Sequence, residues 1–493
     1  MAWPINYFFN FFFDCNIIMS THDFAIVGAG PAGLTLAYYL AKYKYRVLLI
    51  DSENEIGGCH RVRRVDGLFT EHGPRIIVRN YYALIQLLNE WGIGFDDLYT
   101  PYDFSTNTSV VEMLRILSLR EIGAFVKAFA QFMLTENPSR MITMEQFSRS
   151  NNFAPDSVAY VDKMCRLSDG GTIQNYTLFE FLQIFNQNFF YGIYQPKYPN
   201  DVGLFRIWSD QLDRTGYVDQ MLGTQIKQVV YADNTVSLLT ESGHTITASK
   251  YIFAIPPKPM VQILSRSPNP NIFGPIDRLT QWATKSNYMV YVPIIFHWDQ
   301  TLQLEKMWGV PESDYGIVYV IMSDYMKFDD PRSKTVVVCT VKNTDQMSTF
   351  NGKTANECTQ SELIVEVFRQ LRLHRPKLPN PTYSILNPGV YKNASTGKWD
   401  TTDTAFFLTT SGYWSNRSPI HNNIYWVGTH NGHSTYSFTA MESAIQNAIY
   451  LLNELVPESR AHVKIRSPFT IKFFFWILIL IGLIAIVWLV YRK

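Results

Sequence analysis

Three glycines and one carboxylate are the residues of this chain whose types and spacing could do chemistry together. Gly28, Gly30 and Gly33 fall in G-x-G-x-x-G within FAIVGAGPAGLTLAYYLAKYKYRVLLID, and Asp51 closes that stretch 18 residues past the third glycine. The combination suits a bound dinucleotide. Gly28 permits a sharp exit from a strand, Gly30 lets backbone approach a pyrophosphate, and Gly33 lets a helix pack closely on a sheet. Pro31 and Ala32 open that helix, whose free N–H groups and positive dipole end face the phosphates. Asp51 is placed to hydrogen-bond an adenosine ribose, and its charge disfavours a 2′-phosphate there.

The elements that must position these groups are legible around them. An apolar strand precedes the glycines, a helical pattern follows, and RVLLI supplies a second strand ending at Asp51. Past Ser52, the Gly57–Gly58 pair reads as backbone pressed against a ligand or as a hairpin turn. Residues 80–220 carry apolar positions at helical spacing, and 225–257 change to short strands around turns at Asp233-Asn234 and Ser242-Gly243. Between 266 and 410 the runs at 288–298, 315–322 and 335–341 read as strands, with a helix at 361–371. A last buried strand ends at Gly428. Thr439-Ala-Met-Glu442 has the form of a capping box opening an apolar helix.

These motifs resemble the FAD-dependent superfamily of flavin amine oxidases, protoporphyrinogen oxidase and phytoene-type desaturases. The likeness lies in the fingerprint, the acid, the Gly-Gly pair, the turn Glu71-His-Gly-Pro-Arg75 and the Gly428–Glu442 end. It implies an α/β fold in which a discontinuous Rossmann-like FAD-binding domain is interleaved with an α+β substrate domain. The FAD-binding segments would be 19–80, 211–265 and 411–456, with a mainly helical cap at 81–210 and a substrate-domain sheet at 266–410. It implies FAD contacts at Gly28, Gly30, Pro31, Ala32, Gly33, Asp51, Ser52, Gly57, Gly58, Cys59, Gly73, Pro74 and Arg75. Ile226, near the adenosine, and Gly428, Thr429, Ala440 and Met441, beside the flavin, complete the set. A helix N-terminus there would stabilise negative charge on the flavin. Arg75 is the one catalytic candidate, as a polar group near flavin or substrate; a structural ion pair within its turn is the alternative. Lys285 reads more readily as a surface lysine than as a base.

The chain departs from the amine oxidase pattern at three places. Cys59 replaces the arginine usual after Gly-Gly, Ala440 stands where an aromatic residue precedes Met-Glu, and Gln446-Asn447 alter the last motif. A lipophilic substrate therefore fits better than a soluble amine. The expected reaction is hydride removal to the flavin, with oxygen or a membrane quinone as electron acceptor. An isomerase without net redox change and a flavin-binding scaffold remain open.

Net charge is +1, which gives no electrostatic case for nucleic acid. The five cysteines are scattered without C-x-x-C spacing, so neither a disulfide framework nor a metal site is indicated. Residues 1–18 form an apolar extension lacking the basic start of a signal peptide; it reads as a dispensable extension, or translation starts at Met19. After a linker at 457–472, residues 473–491 run 19 positions without a charge, about 28 Å as a helix. That is the length of a membrane span, and it predicts a single-pass C-terminal anchor in contact with membrane lipid. The catalytic domain would then face the cytosol.

Overall fold

The computed structural model describes residues 22–71, 75–103, 109–169, 171–232, 235–287, 291–306 and 313–491. Residues 1–18, Gly73, Pro74 and the turn at 233–234 lie outside the described residues.

Phe24–Val27 (β1) and Val47–Ile50 (β2) are wholly buried apolar strands that pair in parallel, with Pro31–Lys42 (α1) between them. Strands buried on both faces read as continuous apolar runs because helices or a second sheet cover each side. Val218–Met221 (β3) joins β2, Lys250–Phe253 (β4) joins β1, and Ile424–Trp426 (β5) joins β4. The result is a parallel sheet in the order β5-β4-β1-β2-β3. Its strands come from the beginning, middle and end of the chain. The polar edge strand β3, with Asp219 and Gln220, carries no apolar signature, which is why the sequence pattern does not mark it.

Alternation along the strands divides two cores. Phe24, Ile26, Val47 and Leu49 face α1 and Met441–Leu455 (α2), together with Leu40, Ile445 and Leu452. Ala25, Val27, Leu48 and Ile50 face the other way, toward Ile226, Val229 and Leu238. Those last three belong to an antiparallel meander of Ile226–Ala232, Thr235–Thr240 and Thr245–Ile246. The YIFAI stretch beyond it becomes β4, as its composition predicts.

A separate antiparallel sheet orders Val318–Ile321, Thr335–Val341, Val292–Trp298 and Tyr383–Leu386. The helix Gln360–His374 packs on it through Leu363, Val367 and Leu371. Residues 80–220 are mainly helical, with the small strands Tyr99–Pro101 and Ile193–Pro196 among them. His297 ties the second sheet to the N-terminal region through a hydrogen bond between Nε2 and the Phe69 carbonyl, 3.0 Å.

Residues 457–472, expected as a linker, lie against the body. Val463 is buried in the α1 core, and Asn453 donates to its carbonyl. The helix that follows spans Ile471–Tyr491, about 31 Å at 1.5 Å per residue. No residue of its apolar stretch Ile471–Trp488 is buried, and it is long and apolar enough to cross a membrane.

Candidate flavin site

Gly28 leaves β1 at φ +110°, and a Cβ there would lie 2.4 Å from the Ala254 carbonyl oxygen. A Cβ on Gly33 would sit 1.9 Å from the Gly28 carbonyl oxygen. Both glycines are therefore demanded by the protein's own packing. Gly30 is different. It is extended backbone (φ −83°, ψ 179°), and the nearest atom to a Cβ would be Gly58 Cα at 3.6 Å. Nothing among the described residues forbids alanine there, so the bare backbone at Gly30 is free to meet a ligand.

The N-terminus of α1 is correspondingly open. No side chain among the described residues caps it, and no acid lies in its first turn. The N–H groups of Ala32 and Gly33 thus have no intrahelical acceptor. Gly57 and Gly58 both adopt positive φ, +123° and +58°, and Gly57 N–H donates to the Ala29 carbonyl at 2.7 Å. This folds residues 57–59 over the mouth of α1. The pair presses against the protein's own backbone at Ala29 and Gly30, and a short 3-10 turn, Gly58–His60, takes the place of a hairpin.

Asp51 is buried at the end of β2. Its Oδ2 accepts from Ala29 N–H at 2.7 Å, and its Oδ1 from Glu53 N–H at 2.9 Å and Arg61 Nη2 at 3.2 Å. Burial pushes its carboxyl above the usual range, against the pull of Arg61 and the two N–H donors. The same guanidinium reaches Asp403 at 3.5 Å, and Arg63 bridges Asp403 to Glu53 at 3.2 and 2.8 Å. Removing Arg61 would leave two buried carboxylates short of a partner, a loss of about 3–5 kcal/mol for pairs of this kind. Nothing in the sequence announces Asp403, because folding alone brings it across 342 positions. Ser52 is exposed. Ile226 is buried at the start of the meander, just after Thr224 N–H donates to the Asp51 carbonyl at 2.8 Å.

Arg75 forms the structural ion pair. Its Nε donates to Glu71 Oε1 at 2.8 Å, and its Nη2 donates to the Cys59 carbonyl. The side chain thereby ties its turn to the Gly57–Cys59 segment. Glu71 is fully buried, and burial raises its carboxyl despite Arg75. Lys285 is exposed, as a surface lysine would be.

At the other end of the sheet, Gly428 follows β5, and its N–H donates to Asn431 Oδ1 at 3.0 Å. His430 is buried against Trp426, ring centroids 4.2 Å apart, and its Nε2 has no partner among the described residues. Burial pulls its pKa down to about 3, so the ring is neutral packing. Thr429 and Thr439 line a shallow pocket with the aromatic Phe406, Tyr413 and Phe438 and the polar Asn431, Ser434, Ser437, Ser443 and Asn447; no charged side chain among the described residues lines it.

The capping box does not form as expected. Ala440 is the N-cap of α2, and its N–H donates to Ser443 Oγ at 3.0 Å. Glu442 turns away to the N-terminus of the helix Tyr82–Glu90, accepting from Ala83 and Leu84 N–H at 2.8 and 3.1 Å. A carboxylate at a helix start is favourable, yet complete burial pushes its pKa up to about 7. Met441 is buried. The altered pair Gln446-Asn447 has a definite job. Gln446 Oε1 accepts from Ser434 Oγ, Thr435 N–H and Thr435 Oγ1 at 2.8–3.1 Å, while Asn447 Oδ1 accepts from His433 N–H at 3.1 Å. Gln187 secures the far side of that loop at Thr435 and Ser437. The departure from the family motif was visible in the sequence; the loop that it clamps was not.

Known proteins fit this geometry. The family profile described as flavin containing amine oxidoreductase matches residues 31–450. A UDP-galactopyranose mutase from Mycoplasma pneumoniae is 27% identical over 154 residues, covering 28% of this chain and 36% of the mutase. A putrescine oxidase from Kocuria rosea is 30% identical over 125 residues, 21% of this chain and 26% of the oxidase. The chain thus aligns with well under half the length of either relative. A solved structure of putrescine oxidase bound to putrescine superimposes with a TM-score of 0.64 at 16% identity, covering 88% of this chain and 99% of that one. The shared architecture is the mixed α/β fold of the FAD amine oxidases. With a glycine cradle that the chain leaves open at Gly30 and a family match across most of its length, the protein belongs to the flavin-containing amine oxidoreductases, and its cofactor is FAD.

Proposed function

We propose that the protein is an FAD-dependent oxidoreductase that takes hydride from a lipophilic substrate at a membrane surface. The observation that carries this reading is how the C-terminal helix is rooted. Lys472 Nζ pairs with Glu136 at 2.8 Å, Lys472 N–H donates to Asn186 Oδ1 at 2.8 Å, and Phe469 N–H donates to Tyr191 OH at 2.8 Å. A span fixed to the body in this way holds the body at the bilayer rather than on a tether. The pocket beside Thr429 and Thr439 speaks against a cationic amine, which would meet no carboxylate among the described residues of its walls.

FAD, when bound, supplies the hydride acceptor. The N-terminus of α1 and the open backbone at Gly30 hold the diphosphate, and Asp51 orients the ribose. The N-terminus of α2 favours negative charge on the flavin. Arg75 positions the 57–59 segment through Cys59.

The test is anaerobic mixing of the full detergent-solubilised chain with polyenes, porphyrinogens and prenylated compounds, and separately with monoamines and polyamines. Bleaching of the flavin colour by a lipophilic compound is expected; fast turnover of an amine would overturn the reading.

A second reading is favoured by the mutase relative: a non-redox rearrangement that uses reduced FAD. Turnover of a sugar nucleotide that requires prior reduction, yet consumes no electrons, would establish it instead.

A further inference from the structure

The helix Leu119–Leu134 is apolar on two sides. Phe125, Phe132 and Met133 point into the core beneath the sheet. On its outer side Leu119, Gly123, Val126, Ala130 and Leu134 fall at i, i+4, i+7, i+11 and i+15, one continuous stripe at helical spacing. Leu119 is 89% exposed, Val126 64% and Leu134 63%. Lys127, also exposed, sits beside the stripe. A helix facing water normally carries polar residues on that side; an outward apolar stripe flanked by a basic side chain is the pattern of a helix lying in a lipid interface.

The position of the stripe says what covers it. Leu134 lies two residues before Glu136, which pairs with Lys472 at the base of the C-terminal helix. Lys472 also sits 5.5 Å from the ring centroid of Phe132, on the helix itself. Other exposed apolar side chains surround the same root. Met141 and Phe189 are each 69% exposed, and Phe190 packs its ring 5.2 Å from that of Phe469. The stripe is therefore continuous with the segment that enters the bilayer.

We propose that Leu119–Leu134 is a second, interfacial membrane contact, lying along the lipid surface beside the C-terminal span. This rests on the reading of Ile471–Tyr491 as a membrane helix. Two attachments fix the orientation of the body as well as its distance from the bilayer, so that its helical cap faces lipid. A lipophilic substrate would then reach the protein from the acyl-chain side.

An environment-sensitive fluorescent amino acid placed singly at Val126, Leu134, Leu480 or Thr396 tests this. The full chain, checked for bound FAD, is reconstituted in phosphatidylcholine vesicles with and without a nitroxide-bearing lipid. Thr396, exposed on the hairpin of strands Val390–Lys392 and Trp399–Thr401, is the water-facing control. The expected result is a blue shift and loss of fluorescence to the lipid nitroxide at 126, 134 and 480, with neither at 396. Quenching at 480 without quenching at 126 and 134 would overturn the interfacial helix and leave the span standing, as when residues 1–21 of the chain itself cover the stripe. No quenching at any of the four positions would overturn both.

Discussion

Two helices begin against the same parallel sheet and present their N-termini to the cofactor side, but they are built differently. The start of α1 is bare: no side chain caps it, and Gly30 keeps the approach open. The start of α2 is furnished. Ser443 takes the Ala440 N–H, and Gln446 and Asn447 pin the preceding loop at His433–Thr435. The bare end suits a ligand part common to every member of the family, the diphosphate. The first end depends on what backbone leaves out, whereas the second depends on which side chains hold a loop.

Four substitutions probe that difference, beginning with the most damaging. Gly33→Ala places a methyl 1.9 Å from backbone oxygen in the strand exit. Because no flexible side chain can give way, the expected destabilisation is about 3 kcal/mol or more, with loss of bound flavin, read from thermal unfolding and the visible spectrum.

Glu442→Gln acts on the electrostatics of the second end. The folded pKa of Glu442, about 7, lies above the ordinary carboxylate value of 4.5, so the unfolded chain releases this proton first. The group therefore lowers stability progressively as pH rises from 4.5 to 7, by about 3 kcal/mol in total. In the variant that decline is absent, which denaturant unfolding at a series of pH values would show. His430, with its pKa pulled down to about 3, works in the opposite sense, adding stability as pH rises from 3 to 6.5. Comparing variant with wild type isolates the Glu442 contribution from it.

Gln446→Ala removes the acceptor shared by Ser434 and Thr435. A cost of about 1–3 kcal/mol is expected, with a smaller loss of FAD affinity than in Gly30→Ala. A loss of FAD affinity as large as that of Gly30→Ala would erase the distinction between the two ends. Gly30→Ala is the mildest for the fold and the sharpest for binding. Stability should stay within about 0.5 kcal/mol of wild type, while FAD affinity falls about tenfold, or 1.4 kcal/mol. Both are measurable by titrating the deflavinated protein.

The same contrast explains how much was legible beforehand. Gly28, Gly33 and Asp51 could be read from spacing because their roles follow from local backbone geometry, and the apolar runs of β1, β2 and β4 declared themselves as buried strands. The edge strand β3 did not, since half of its residues are polar and its place depends only on pairing with β2. Arg61 with Asp403, and Glu442 with the helix at Ala83, join positions hundreds of residues apart, and no local pattern encodes such a partner. Thr439–Glu442 looked like a capping box because the residue types fit; tertiary demand from Ala83 and Leu84 took the carboxylate elsewhere. Residues 457–472 looked like a linker because their polar and charged positions hide the buried Val463, and no local pattern encodes the bonds of Phe469 and Lys472 to the body.

The most direct measurement is the flavin content of the purified full chain, paired with the same measurement on Gly30→Ala. One FAD per folded chain is expected in the wild type, with weakened binding and an unchanged fold in the variant. A wild-type protein that folds cooperatively yet is colourless, and stays so when FAD is added, would contradict the assignment of residues 24–61 as the cofactor cradle.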